Sequence, residues 1–425
     1  MPPVLVAIQK DAPMSSVSAT PLRPTSSIDA LLLVSFGGPE GPDDVMPFLE
    51  NVVRGKNVPR QRLLEVARHY ELFDGHSPIN SQNRGLLAAL VAELNAHGPQ
   101  LPVYWGNRNW HPMLADAVAQ MADDGVERAL AFVTSPFGSY PGCRQYIEDI
   151  DRARQEVGPA APQIDKLRLF YNHPGFIEPM AERVAAAWSE IPPERIGRAR
   201  LLFTAHSLPA AMAERSPYER QLREACRLVT ESLAASQRIS PLPLGEGPGV
   251  RAVVGGQWPV ASGQEAENPN SQIPISSNQC SPHPNPLPKG EGTTAAATSS
   301  LPWDLVFQSR SGPPSERWLE PDIRQHVRQL HAAGEIEAIV VAPIGFLVEH
   351  LEVVYDLDVE LAGLCEELGI HMIRAGVVAN HPRLVRMIRD LVVERLDPSS
   401  SRLALGSDGP WPDECPADCC RERKS

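Results

Sequence analysis

Short apolar runs punctuate this chain, each closed by Gly, Pro or a polar residue and most followed by a longer stretch with helical spacing. The runs at 30–35, 102–105, 128–134 and 167–171 read as strands, with helical segments such as 84–96 and 113–124 between them. The second half repeats the scheme. Its strands fall at 200–204, 305–308, 338–342 and 371–375, and its helices at 214–235, 322–333 and 357–367. Strands that alternate with helices imply parallel sheets joined by right-handed crossovers. Continuous β-branched runs such as IVVAPI at 339–344 fit strands buried on both faces. The pattern predicts an α/β fold of two similar domains, each a four-stranded parallel sheet flanked by helices. The first spans 28–195; the second takes 196–237 and 300–376. A final helix follows within 377–397.

Three stretches break the periodicity. Residues 1–27 are rich in Pro, Ser and Thr and read as a disordered tail. Residues 238–299 are rich in Pro, Gly, Ser and Asn, and PLPLGEG at 241–247 nearly repeats as PLPKGEG at 286–292. Such a segment cannot bury enough apolar surface to offset the entropy of ordering, so it reads as a disordered insert without catalytic role. Its closure cost rises only logarithmically with length. Residues 398–425 form a Pro-rich, Cys-containing tail. Together these explain 43 prolines in 425 residues, about twice the usual share.

The net charge of −13 argues against nucleic acid as the main partner. No apolar run approaches the roughly 18 residues that span a bilayer, and the apolar run at 4–8 is too short for a signal peptide. The chain therefore reads as cytoplasmic, without a transmembrane segment, with contact at a membrane surface left open. Seven cysteines, an odd number, do not suit a secreted disulfide framework. FGGP at 36–39 does not match GxGxxG, which disfavours a dinucleotide.

Two stretches carry candidate chemistry. After the strand at 339–344, Glu352, Asp356 and Glu360 stand at i, i+4 and i+8, which on an α-helix places three carboxylates in one row. Flanked by Leu351, Val353, Val354, Tyr355 and Leu357, the row suits binding a cation or passing protons. The alternative is a solvated acidic face paired with Arg or Lys. His206 ends the apolar strand at 200–204, and residues just past a strand's carboxyl end line the ligand crevice of an open α/β sheet. One imidazole and one carboxylate row at two strand ends fit a metal or proton-transfer site.

TAHSLP at 204–209 together with GFLVEHLEVVYD at 345–356 resembles the paired signature of the ferrochelatase family. The resemblance extends through LLLVSFGGP at 31–39, FDGHSPIN at 73–80, YWGNRNWHP at 104–112 and residues 307–322. It covers about residues 28–397 apart from the insert, and is greatest to the actinobacterial coproporphyrin type. It implies two Rossmann-like, chelatase-type domains, with the last helix packing back on the first. It also implies insertion of ferrous iron into coproporphyrin III, giving coprohaem for handover to a decarboxylase. Protoporphyrin IX as substrate is the runner-up. A cobalt or nickel chelatase and a non-catalytic tetrapyrrole carrier stand further off. A monomer is expected.

In that chemistry a base must take two pyrrole protons, ligands must replace iron's water, and binding must strain the flat ring. His206 and Glu352 would be catalytic and, with Asp356 and Glu360, would handle the metal. By resemblance the porphyrin contacts fall on Phe36, Arg54, His69, Tyr70, Ser77 and Tyr146. Phe36 stands where many relatives carry Tyr; it can stack on the macrocycle but cannot ligate iron. His69 replaces an Arg of some relatives, and Val53 another. On its own residues, Ser77 could instead cap the helix that follows, and Arg54 could form a surface ion pair.

Cys415, Cys419 and Cys420 offer three soft ligands in the tail, whereas an iron–sulfur centre takes four. Cys143 falls where cluster-bearing relatives place their internal ligand, so the resemblance implies a 2Fe–2S cluster. Zinc would suit the same thiols, and a reactive tail or a vicinal disulfide are the alternatives. Cys226 and Cys365 fall on helical faces and read as core; Cys280 lies in the insert.

Overall fold

The computed structural model describes residues 28–236, 301–312, 315–415 and 419–420. The expected tail at 1–27 and insert at 238–299 lie outside the described residues.

The first half runs β1 (Ala30–Ser35), α1 (Pro42–Val52), α2 (Arg60–Glu71), α3 (Ile79–His97), β2 (Val103–Asn107), α4 (Leu114–Asp123) and β3 (Arg128–Val133). A π-turn at Tyr140–Arg144 leads into α5 (Gln145–Val157), then β4 (Gln163–Lys166) and α6 (Pro174–Trp188). The second half runs β5 (Ala199–His206), α7 (Ala210–Ala213), α8 (Tyr218–Ala235), β6 (Trp303–Gln308), α9 (Ile323–Ala332) and β7 (Ala338–Ala342). It continues through α10 (Leu351–Val353), a π-helix (Val354–Leu361), α11 (Ala362–Leu368) and β8 (His371–Arg374) to α12 (Pro382–Leu396).

Each half holds a four-stranded, wholly parallel sheet, in the orders β2-β1-β3-β4 and β6-β5-β7-β8. The same permutation recurs, so β1 and β5 occupy equivalent central places. Every residue of β1 and of β7 is buried, because helices cover both faces of each sheet. One apolar core runs through both halves, joining Leu31, Phe132 and Tyr171 to Phe203, Val340 and Leu391.

One strand departs from expectation. The fourth strand is not the apolar run at 167–171 but the polar Gln163–Lys166 before it. It is a half-exposed edge strand, so burial did not mark it. Leu167, Leu169, Phe170 and Tyr171 are buried because the chain dives into the core beyond the ladder.

Helix α12 packs on α3 and α6. Its Glu394 takes both arms of Arg168 at 2.7 and 2.8 Å, with both side chains almost wholly enclosed. Helices α1 and α2 pair over the cleft. Phe48, Leu63 and Tyr70 on them meet Leu351 of α10, so this lid bridges the halves.

Candidate active site

The central strand β5 delivers His206 to the cleft. Its Nδ1 lies 2.6 Å from the Ser207 carbonyl, and the Tyr218 hydroxyl donates to the His206 carbonyl at 3.1 Å. A carbonyl can only accept, so Nδ1 carries a proton; in the neutral ring Nε2 then presents a lone pair. That Nε2 stands 3.6 Å from Oε2 of Glu352. The separation exceeds a hydrogen bond; with the ring neutral, two acceptors face each other across a gap that suits a proton or a cation. Both side chains keep access to solvent, His206 at 31% and Glu352 at 52%.

Glu352 reaches that place through a tight turn after β7. The Gly345 amide donates to the Thr204 carbonyl, and a Cβ at Gly345 would stand 2.6 Å from that of Ala205. Only glycine lets the two strand ends approach this closely. His350, two residues before Glu352, sits edge-on to Phe346. Burial, opposed by Glu352 and aided by His206, lowers its pKa and favours the neutral ring.

Beyond Glu352 the helix differs from the α-helical row expected. Residues Val354–Leu361 adopt π geometry, whose wider turn re-spaces Asp356 and Glu360. The three carboxylates also have different surroundings. Glu360 pairs with Arg324 at 3.0 Å, so the ion-paired alternative holds for it. Asp356 takes neutral donors instead: the Ser309 hydroxyl, and Gln308 Nε2 at 3.3 Å. Burial, only partly opposed by these donors, pushes its pKa up to about 6. Gln308 also donates to the Glu352 carbonyl and accepts from Thr204, which ties β5, β6 and the carboxylate helix together.

The facing wall begins at the end of β1. Phe36 is 37% exposed and meets Phe48 edge-on; Phe48 meets Tyr70 likewise. Burial, aided by Glu352, raises the Tyr70 phenol's pKa, so this aromatic chain reaches the carboxylate wall. Behind Phe36, Ser35, Asn80, Asn83, Trp105 and Asn107 form a buried hydrogen-bonded network. Cross-linked this way, the side chains hold one arrangement, with Asn83 Oδ1 the one buried atom of the group left without a partner among the described residues. Gly37, at φ +80°, lies against Asn107 with no room for a side chain.

The other expected ring contacts are dispersed. Arg54 is exposed on the α1–α2 connection and donates to Asn51. His69 stacks flat on Tyr355 at 3.8 Å, closing lid onto π-helix. Ser77 is buried against Gly38, and no side chain caps the following helix. Tyr146 is buried beneath Arg108.

The family model for ferrochelatase matches residues 28–241 and 291–396. The chain belongs to the ferrochelatase family. The stretch that the family model leaves unmatched, 242–290, lies within the low-complexity insert. A ferrochelatase of Rhodopirellula baltica is 47% identical over 92% of this chain and 93% of its own length. A coproporphyrin III ferrochelatase of Frankia alni is 45% identical over 94% and 88%, and one of Nocardia farcinica 44% identical over 90% and 92%. Family membership makes the chain an enzyme that inserts metal into porphyrin, with ferrous iron as substrate. Among the described residues no helix is long and apolar enough to cross a membrane.

Away from this cleft the ferrochelatase-family chain gathers its thiols. Cys143 and Cys415 hydrogen-bond each other, Cys415 meets Cys419, and the Cys419 and Cys420 sulfurs stand 3.5 Å apart. Trp411 Nε1 donates to Cys415 Sγ at 3.4 Å. The hydrogen bond from Cys143, outweighing burial, holds the Cys415 thiol's pKa below its ordinary value, which favours its thiolate. Among the described residues no three His, Cys, Asp or Glu side chains are drawn to metal-holding spacing. Cys226 and Cys365 are buried in the core.

Sequence reasoning assigned no role to His350, Gln308, Ser309 or Arg108. His350 was within reach, as it lies inside the signature itself. The other three are ordinary polar residues whose neighbours come from distant elements.

Proposed function

We propose that this protein inserts Fe²⁺ into coproporphyrin III, with His206 and Glu352 as the catalytic pair. The observation that carries the reading is the unshared 3.6 Å gap between His206 Nε2 and Glu352 Oε2. A neutral imidazole and a carboxylate there can accept the two pyrrole protons or replace water on iron. Asp356 takes protons onward from Glu352, and Glu360, held by Arg324, ends the row at the surface. Phe36 supports the opposite ring face. Of the contacts the resemblance implies, Arg54 is the exposed cation that would meet a propionate, while His69, Tyr70, Ser77 and Tyr146 line the lid and wall behind it. The names of the Frankia and Nocardia relatives favour coproporphyrin III over protoporphyrin IX. The product keeps all four propionates, so a decarboxylase must act on it next. We place the reaction in the cytoplasm.

Four thiols from two distant segments meet here, short of metal-holding spacing among the described residues, and their soft sulfur chemistry suits a 2Fe–2S cluster. Cys143, Cys415, Cys419 and Cys420 would hold it. When bound it would supply a one-electron redox centre and a cross-link between tail and core.

Steady-state insertion on both porphyrins, with Fe²⁺, Co²⁺ and Zn²⁺, tests the substrate. Faster turnover on protoporphyrin IX would reverse the substrate assignment. His206→Ala and Glu352→Gln are each expected to lower kcat by about 10²–10⁴-fold while the fold persists. Near wild-type turnover in both would remove the catalytic pair.

A further inference from the structure

Arg374 ends β8, in register with Val341 of β7, and its side chain is mostly enclosed. Its guanidinium reaches the chain that leaves β7. Nη1 donates to Oε1 of Glu349 at 2.7 Å, and Nε donates to Oδ1 of Asp358 at 2.5 Å. Glu349 stands three residues before Glu352, and Asp358 stands two after Asp356. One planar fork therefore grips the carboxylate segment at both ends. The second oxygen of Glu349 is buried and has no hydrogen-bond partner among the described residues, so Arg374 answers its charge. The Glu349 amide also donates to Gln82 Oε1 at 2.8 Å, which ties this end to α3 in the first half. Between the two grips, Gln308 donates to the Glu352 carbonyl at 3.1 Å. The side chain of Glu352 is 52% exposed, so its place is set by the backbone that carries it rather than by enclosure. That backbone enters π geometry at Val354, a rare form selected by contacts from outside the helix. Asp358 lies inside the π stretch and carries one such contact.

We propose that Arg374 is a positioning residue for metal insertion, clamping Glu349 and Asp358 and so setting the distance of Glu352 from His206. The inference rests on the reading of His206 and Glu352 as the catalytic pair, neither of which Arg374 pairs with. Release at Asp358 frees the helix to take α register. Release at Glu349 loosens the turn that follows Gly345. Either change moves Glu352 against a His206 held by β5. Phe36 and Phe48 belong to the first half, so the wall that stacks on the porphyrin stays in place. A lysine keeps the charge but offers one point on a flexible stem and cannot hold two carboxylates apart at fixed spacing.

The test measures insertion into coproporphyrin III by full-length wild type, Arg374→Met, Arg374→Lys and Asp358→Ala, with Glu352→Gln alongside. Quenching of porphyrin fluorescence counts the chains that bind ring, so kcat is expressed per binding-competent chain. In Arg374→Met that kcat is expected to fall about 10²-fold, the cost of a misplacement near 1 Å, with the porphyrin KM within about twofold. Arg374→Lys should resemble Arg374→Met, and Asp358→Ala should show a smaller loss. The ratio of Zn²⁺ to Fe²⁺ turnover should also move by about threefold or more, because the two ions differ in preferred geometry; a loss of folded protein would leave that ratio unchanged. Should Arg374→Met fail to fold, Asp358→Ala decides, since it keeps the Arg374–Glu349 pair. Wild-type kcat and metal ratio in Arg374→Met, or in Asp358→Ala where it decides, while Glu352→Gln loses turnover, overturn the clamp and leave the catalytic pair standing. Full activity in Arg374→Lys overturns the fork in favour of charge alone. Near wild-type turnover in Glu352→Gln refutes the reading on which the clamp rests.

Discussion

If Asp356 relays protons as proposed, its buried carboxylate is expected to set an acid limit on turnover. Its pKa stands at about 6 against an ordinary 3.8, chiefly because burial penalises the charge. Glu352 and Glu360 add like-charge repulsion, while Ser309 and Gln308 pull the other way. A rise of about two units amounts to about 3 kcal/mol of bias toward the protonated acid. If Asp356 must be ionised to take protons from Glu352, it is roughly 90% competent at pH 7 and roughly 10% at pH 5. Turnover should then fall about ninefold between those values, the loss centred near pH 6. The sign of each neighbour gives an internal control. Ser309→Ala removes a donor to the ionised form, so the acid limb should move to higher pH. Glu360→Gln removes a repelling charge and frees Arg324, so the limb should move to lower pH. Asp356→Asn should abolish the limb and lower the plateau. The assay is initial-rate insertion at saturating porphyrin from pH 5 to 8, with folding checked by circular dichroism at each pH. An acid limb unchanged in Asp356→Asn, or moved down by Ser309→Ala, would refute the relay.

Two further outcomes follow from the fold. Arg168→Ala leaves the buried Glu394 with only the longer Arg402 contact, at 3.5 Å, and should cost about 3 kcal/mol, the low end for a broken buried pair, read as a lower urea midpoint at unchanged slope; a loss under about 0.5 kcal/mol would show that Arg402 or water takes over the carboxylate. Deleting residues 240–298 should leave turnover and melting temperature nearly unchanged, and a collapse of folding would show that the segment contributes to the core.

The alternation of apolar runs with helical stretches was enough to place seven strands within a residue or two, and the repeat of that alternation implied the paired sheets. Local pattern suffices there because strands buried on both faces must be continuously apolar. The eighth strand escaped because Gln163–Lys166 lies at a sheet edge, where burial leaves no mark on composition. His206 and Glu352 were legible as site candidates for a topological reason: a parallel sheet delivers all its strand ends to one side.

Four cysteines could be counted from the chain, yet their meeting was decided by the tail's return. Arg168 receives the Leu403 carbonyl, Asn172 those of Leu405 and Gly409, and Arg220 the Asp408 carboxylate. The π geometry at Val354–Leu361 was equally hidden, since the same side chains could line an α-helix; the local backbone register differs, and packing against Gln308 and Ser309 accompanies it. Sequence alone determined which elements form and which chemistry each strand end carries, because those depend on neighbours a few residues away. Tertiary structure alone decided that His206 and Glu352 leave a gap, that Asp356 lacks the ion pair that holds Glu360, and that Arg108 touches both Phe36 and the Pro141 turn, because each depends on side chains brought together from distant parts of the chain.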